Sequence, residues 1–376
     1  MHLTLHLTTA CNMRCTYCYA PPRAGEGMSI ETAFRALELG AALGSPRCGI
    51  VFFGGEPLLH RELIAAVVER GRELGRQGGS SFHFKLTTNG VSLDRSFLDY
   101  AAANDVLVAM SFDGVREAHD AHRRLPGGSP SFEPLLARLD ELLAARPYAS
   151  VLSVVSPDTA RHLGDSVAFL VERGCRYLIV SLDYAAPWHE ADLEVLEQQY
   201  QRLGELYLEW TRAGRKFYLS PFEVKIASHV KGCRFGEDRC ELGERQISVD
   251  PQGFLYPCVQ FTRAGPSSEW CIGHVTTGLD LAARQRIRAG AARTQEPCES
   301  CAVRRRCHHT CGCLNWQTMG TIHAVSPVLC RHEQMLLPIA DRVAATLYRE
   351  RSPLFLHKHY NAAYPVLSLI EDGLEG

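Results

Sequence analysis

Along the first half of the chain, short apolar blocks alternate with longer amphipathic ones. The blocks "LTLHLTT" (3–9), "CGIVFFGGEP" (48–57), "FHFKLTTNG" (82–90), "DVLVAMSFDG" (105–114), "ASVLSVVS" (149–156) and "RYLIVSLDY" (176–184) are rich in β-branched and aromatic residues. Blocks of this length, closed by Gly, Asn, Asp or Pro, predict buried strands. Helical spacing fills the gaps. Ser29 can cap a helix carrying Phe34, Leu37 and Ala41 on one face, and 58–76 places Leu63, Val67 and Leu74 on one stripe. Further helices are predicted at 93–103, 131–146, 159–173 and 192–213.

Strands alternating with helices predict a parallel sheet with helical crossovers. Six units are too few for a closed eight-unit barrel. The predicted fold is therefore α/β, a partial (β/α)6 TIM-like barrel, with a doubly wound open sheet as the competing architecture. Either way, chemistry belongs at the C-terminal ends of the strands. The notable polar pieces fall there: a cysteine triplet after strand one, then "GGEP", "TTNG", "SFDG" and "SLDY".

Beyond about residue 230 the periodicity fades, and 233–330 holds ten cysteines. This predicts a small domain built on metal. The expected divisions are a barrel at 1–213, a linker at 214–232, a Cys-rich metal-built domain at 233–335 and a helical tail at 336–376.

Composition changes the picture only through cysteine. The chain has 376 residues and a formal net charge of −2, which gives no electrostatic case for nucleic acid or an anionic membrane. No apolar run reaches membrane-spanning length, and "MHLTLHLTT" lacks the basic start of a signal peptide. A cytoplasmic location is expected. Fifteen cysteines in a reducing compartment point to metal or redox chemistry rather than disulfides. Cys48, Cys175, Cys271 and Cys313 are expected to pack.

The triplet Cys11-x3-Cys15-x2-Cys18 is one thiolate short of a closed site. It can hold three irons of a 4Fe–4S cubane with one position open, or a zinc completed by a distant histidine such as His6. With Tyr17 before its last cysteine, it resembles the signature of the radical S-adenosylmethionine enzymes. Gly54-Gly55-Glu56-Pro57 matches that family's second motif, which receives the methionine amino group. Ser111 matches a ribose contact. Asn89 fits a strand-three motif. Arg123 in "HDAHR" matches a candidate for the methionine carboxylate, with Arg124 next to it.

The second array resembles the SPASM extension of radical enzymes that modify peptides and proteins. It reads Cys240-x12-Gly253-x4-Cys258, then Cys298-x2-Cys301-x5-Cys307-x3-Cys311, then Cys330. The resemblance implies a far auxiliary cluster on Cys298, Cys301, Cys307 and Cys330. It implies a nearer one on Cys233, Cys240, Cys258 and Cys311. Structural zinc is the competing occupant of both.

Three 4Fe–4S clusters and S-adenosyl-L-methionine are thus implied as cofactors. A flavodoxin- or ferredoxin-type electron donor and a peptide substrate are the implied partners. The implied activity is a net oxidation, a crosslink or an oxidised side chain, in maturing a ribosomally made peptide. Strand one begins by residue 3, leaving no room for a leader-binding domain before it. A separate leader-binding protein, or the barrel itself, is expected to read the peptide.

Anaerobic sulfatase maturases share the layout but carry a general-base Asp where this chain has Val259. Formylglycine formation and oxidation of a small-molecule alcohol are the alternative activities, and a non-catalytic metal scaffold is the alternative class. Asp183, after strand six, can supply a base, or it can simply form a turn.

Overall fold

The computed structural model describes residues 1–20, 25–43, 46–78, 80–232, 242–291, 296–365 and 367–368. The strands are β1 (His2–His6), β2 (Arg47–Phe53), β3 (Ser81–Thr88), β4 (Val106–Ser111), β5 (Ser150–Val155), β6 (Tyr177–Leu182), β7 (Tyr218–Leu219), β8 (Gln246–Val249) and β9 (Leu255–Tyr256). Helices α1 (Ile30–Ala42), α2 (Arg61–Gln77), α3 (Arg95–Ala103), α4 (Arg116–His122), α5 (Phe132–Ala145), α6 (Leu163–Glu172), α7 (Glu190–Arg212) and α8 (Ser220–Val230) accompany the first seven strands. After them come α9 (Leu281–Ala291), α10 (Glu296–Glu299), α11 (Gly312–Met319), α12 (Pro327–Arg349) and α13 (Pro353–Tyr360).

One sheet runs in the order β7-β6-β5-β4-β3-β2-β1-β8-β9. Every neighbouring pair is parallel except β8 with β9. The sheet is open, with β7 and β9 as its edges, so the partial barrel is the architecture and the doubly wound order is not.

Register explains how the strands bury. Leu3, Leu5, Ile50, Phe52, Phe84, Leu86, Val108 and Met110 face outward and are fully covered, with α1, α2 and α3 packed on β1, β3 and β4. The other face is more polar. Thr4 pairs with Val51, Val51 with Lys85 and Lys85 with Leu107, while Ala109, Ser150, Tyr177 and Tyr218 form a second row on the same face. Because side chains alternate with period two, His6, Phe53, Thr87 and Ser111 continue that inner face toward the strands' C-terminal ends.

Local capping agrees with the predicted starts. Ser29 Oγ accepts from Thr32 N at 3.0 Å to begin α1, and Asp94 accepts from Phe97 N at 2.9 Å to begin α3. The stretch 214–232 is not a bare linker. It holds β7, paired with β6, and α8, which starts at Ser220-Pro221 and buries Phe222 and Ile226. Proline in the first turn needs no N–H there, which hid a helix start. Helix α12 runs through 335–336 and packs on α7 and α8, tying the C-terminal region to the barrel. Among the described residues, no helix is long and apolar enough to cross a membrane.

Candidate functional site

The loop after β1 carries Cys11, Cys15 and Cys18 and is held from two sides. On one side, Gly55 N donates to Thr8 O at 2.7 Å and Glu56 N to Ala10 O at 2.8 Å. This approach requires glycine. Gly54 has φ +122°, and a Cβ on Gly55 would lie 2.0 Å from Ala10 O. On the other side, Arg14 N donates to Arg124 O at 2.7 Å and Thr16 N to His122 O at 3.1 Å, pinning the loop to the end of α4.

Glu56 is wholly buried and joins β2 to β3. Its Oε1 accepts from Thr88 Oγ1 at 2.7 Å and Leu58 N at 3.0 Å, and its Oε2 from Asn89 N at 2.8 Å. Burial pushes the carboxyl up to about 7 against these hydrogen bonds. Pro57 opens a buried 3-10 turn. The Asn89 amide then reaches the cysteine loop, donating to Asn12 Oδ1 at 2.8 Å and lying 3.6 Å from Cys11 Sγ. The residues singled out in "GGEP" and "TTNG" thus meet the triplet in space.

The third support is Asp113. Its Oδ2 accepts from Tyr17 OH at 2.6 Å and Arg123 Nε at 3.0 Å, and its Oδ1 from Val154 N at 3.0 Å. Both members of the Arg123–Asp113 pair are almost fully buried. Burial opposes the Arg123 cation, but Asp113 and Tyr17 beside it more than restore it, and its pKa lies above the ordinary value. The guanidinium also lies 5.4 Å from the Tyr17 ring centre. No other guanidinium hydrogen bond of Arg123 forms among the described residues. Ser111 ends β4 half-buried on the inner face. Asp113 was not singled out from sequence. Its position in "SFDG" was the available signal.

Three cysteine thiols on one short loop are a donor set that fits an iron–sulfur cluster. Burial pushes the Cys15 thiol up to about 11, opposed by Arg123 and reinforced by Asp113, Cys18 and Cys11, so these groups lie within one another's fields. Such a thiol ionises when it takes a metal. His6, the alternative zinc ligand, is buried edge-on to Phe53 at 5.4 Å, and its Nε2 has no hydrogen-bond partner among the described residues. No three His, Cys, Asp or Glu side chains among the described residues converge on a single-ion position.

The second array falls into two groups. Cys298, Cys301, Cys307 and Cys330, brought in from three segments, line one cavity of about 360 Å³ together with His309 and Glu333. A single zinc draws its thiolates to about 2.3 Å from one point, so a space of this size suits a larger group. In the other group, Cys313 is hydrogen-bonded to Cys258 and lies 3.5 Å from Cys311, sulfur to sulfur. Cys313 packs against the core, as expected, and the first turn of α11 also sets it beside Cys311. Cys233 and Cys240 lie outside the described residues. Cys48 and Cys175 are buried among apolar neighbours, as expected of packing thiols. Tyr19 sits in the field of Cys258, Cys18 and Cys313, so the triplet's loop borders this second group.

Asp183, at the mouth beyond β6, forms a turn. Its Oδ1 accepts from Ala185 N at 3.2 Å and its carbonyl from Trp188 Nε1 at 2.7 Å. Half-burial lifts its carboxyl above the usual range, against the Ala185 and Ala186 N–H groups and nearby His122. Next to it, Tyr184 OH pairs with His332 Nδ1 at 2.7 Å, and His332 Nε2 with Tyr200 OH at 2.8 Å. A buried Lys225–Glu333 ion pair closes the gap between α8 and α12 beside the four-cysteine cavity.

Residues 5–170 match the family model described as the Radical SAM superfamily. The chain is 22% identical over 337 residues to the cysteine-type anaerobic sulfatase-maturating enzyme of Clostridium perfringens (strain ATCC 13124), covering 81% of this chain and 86% of that one. Native anSMEcpe with bound AdoMet and Cp18Cys peptide superposes with a TM-score of 0.79 at 19% identity, over 93% of this chain and 99% of that one. Streptococcus suis SuiB bound to the precursor peptide SuiA superposes with a TM-score of 0.59 at 15% identity, over 88% and 75%. These structural likenesses establish the fold.

Proposed function

We propose that this chain, which carries a radical SAM domain at residues 5–170, is an oxidoreductase that matures a ribosomally made peptide by a net two-electron oxidation of one residue. The observation that carries the reading is the cavity shared by Cys298, Cys301, Cys307 and Cys330. A cluster held there would give the substrate radical an onward electron acceptor. Support for a peptide substrate comes from anSMEcpe with its bound Cp18Cys peptide and from SuiB with its precursor peptide.

In this reading, Cys11, Cys15 and Cys18 hold a 4Fe–4S cluster with one open iron, and the C-terminal cysteines hold two auxiliary clusters as a SPASM domain. When bound, S-adenosylmethionine and the clusters supply hydrogen-atom abstraction and removal of one further electron. The chain's own residues then bind and orient. The Gly54–Gly55 backbone would receive the methionine amino group, Arg123 the carboxylate, and Ser111 the ribose. Asn89 fixes Cys11, and Asp113 fixes Tyr17 and Arg123 together. Half-burial raises the Asp183 carboxyl above its ordinary range, which suits a proton acceptor. Cys313, beside Cys258 and Cys311, would be a further ligand candidate for the nearer auxiliary set. A flavodoxin- or ferredoxin-type protein delivers electrons, and a separate protein can present the leader.

Formylglycine formation on a sulfatase is the second reading, favoured by the sulfatase-maturating relative that covers most of the chain. Val259, half-buried directly after Cys258, cannot serve as the base in that route.

Anaerobic reconstitution tests the proposal. Three cubanes give about 12 iron atoms per chain, and reductant should release 5′-deoxyadenosine. Replacing Cys11, Cys15 and Cys18 together by alanine should remove about a third of the iron and all of the release. Zinc-loaded, colourless protein, or release that survives the triple substitution, overturns the reading. A sulfatase peptide that is converted, while ribosomal precursor peptides are not, moves the assignment to the second reading.

A further inference from the structure

The four-cysteine cavity has a charged wall. Glu333 is part of its lining, while Lys225, the partner of that carboxylate, stands behind it and outside the lining. Helix α12 explains the placement. Cys330 and Glu333 are three residues apart on it, so they share a face. Lys225 comes from α8, and its Nζ donates to Glu333 Oε2 at 2.5 Å. His308 Nδ1 lies 3.1 Å from Lys225 Nζ and 3.1 Å from Glu333 Oε1. The turn Arg304–Arg306, which leads into Cys307, is fastened to α8 through Arg306. Its Nη2 donates to Lys225 O at 3.1 Å and its Nε to Ser228 Oγ at 2.9 Å. The pair is thus fixed to two of the segments that carry the cysteines.

A brace alone does not account for these charges. Each side chain is only 3% exposed. Taking two charges out of water costs more than their attraction commonly returns, and an apolar pair of similar volume holds helices together as well. Among the described residues, one other Lys or Arg ion pair has both side chains under a tenth exposed. It is Arg123–Asp113, and it stands beside the cysteine triplet. Arg304 also lines the cavity, but it is half-exposed and water weakens its field. Glu333 is the buried charge on the lining.

We infer that the Glu333 carboxylate, held by Lys225, sets the reduction potential of the cluster bound by Cys298, Cys301, Cys307 and Cys330, and keeps it low. The inference rests on the proposed function for that cluster and adds two positioning residues to it. Reduction adds one electron and no proton, so the added charge meets the carboxylate directly. Nearby charge is one of the levers that set an iron–sulfur potential. A unit charge acting over about 6 Å at an effective dielectric of about 20 changes such an equilibrium by about a hundredfold. Lys225 cancels part of this from farther back, which leaves about tenfold as the least effect expected. A cluster kept at low potential passes an electron from the substrate radical onward rather than storing it.

The test is a redox titration of the reconstituted full chain followed by electron paramagnetic resonance, with iron assayed in every sample. Cys298→Ser with Cys301→Ser identifies this cluster's midpoint by its disappearance. Glu333→Gln should raise that midpoint by at least about tenfold in the reduction equilibrium, about 59 mV for one electron, and leave the other two midpoints in place. Glu333→Asp, which keeps the charge, should move it less. Lys225→Gln, which leaves the carboxylate without its cation, should lower it. Where one of the two Gln variants loses this cluster's iron, the other decides. An unmoved midpoint in an iron-replete Gln variant, shifts of the same sign in both, or three midpoints moving together overturns the inference. Loss of about a third of the iron in both Gln variants makes the pair a brace and overturns it too. If the cysteine double variant loses no iron, it is the cluster reading that fails, a result distinct from iron-replete variants with unmoved midpoints.

Discussion

Replacing Asp113 by asparagine should detach the cysteine loop from the barrel. The carboxylate accepts from Tyr17, Arg123 and Val154, and it is the counter-charge of a guanidinium that is itself almost fully covered. Asparagine preserves the shape but leaves that cation uncompensated. Removing one partner of a buried pair costs about 3–5 kcal/mol. A buried donor left without its acceptor costs about 1–3 kcal/mol, but the two losses overlap, so about 3–5 kcal/mol is the expected total. Arg123→Gln alone should cost a similar amount. The double variant should cost far less than the sum, because neither charge remains to be buried. Urea unfolding of the metal-free chain reads these values. Iron content reads the consequence, since the loop that loses Tyr17 also carries Cys15 and Cys18, and the Asp113 variant should lose the triplet's share of iron while keeping the rest. A single-variant loss below about 1 kcal/mol, or a double variant whose loss equals the sum, would refute the buried-pair argument.

Two further outcomes are expected. Gly55→Ala must displace Ala10 O, which would stand 2.0 Å from the new Cβ, so the purified variant should reconstitute without the triplet's iron, measured by iron assay, while retaining its auxiliary iron. The buried His119 is pushed down to about 4, mainly by burial, with Arg123 adding to this and Asp113 opposing. The unfolded chain takes that proton near 6.5, so the stability due to neutral His119 is complete above 6.5 and is lost as pH falls toward 4, by about 3 kcal/mol in all. Urea midpoints across this window should show His119→Gln flattening the slope by about one proton, and an unchanged slope would count against it.

The strands were legible because each is a short apolar run closed by turn residues, and outward burial against helices demands that run. Helix α4 was not read as a helix. At seven residues it is too short for periodicity, and its "HDAHR" was read as a motif. The short β8 was missed because it sits among glycines and cysteines, and what makes it a strand is β1 beside it. The grouping of Cys298, Cys301, Cys307 and Cys330 was available only through the family resemblance, and these four line one cavity. The place of Cys313 was not legible, because a two-residue offset from Cys311 brings sulfurs together only when a helix starts between them.

The pairing of β8 with β1 has a consequence for how the chain can be divided. β1 carries the triplet's loop, and its free side is taken by a strand from the cysteine-rich half. A fragment ending near residue 213 would leave a row of unpaired N–H and C=O groups along β1, an edge ready to template aggregation. The two halves are therefore not separable modules. Whatever supports the second half, including iron delivered late to its cysteines, also supports the strand that leads into the loop of Cys11.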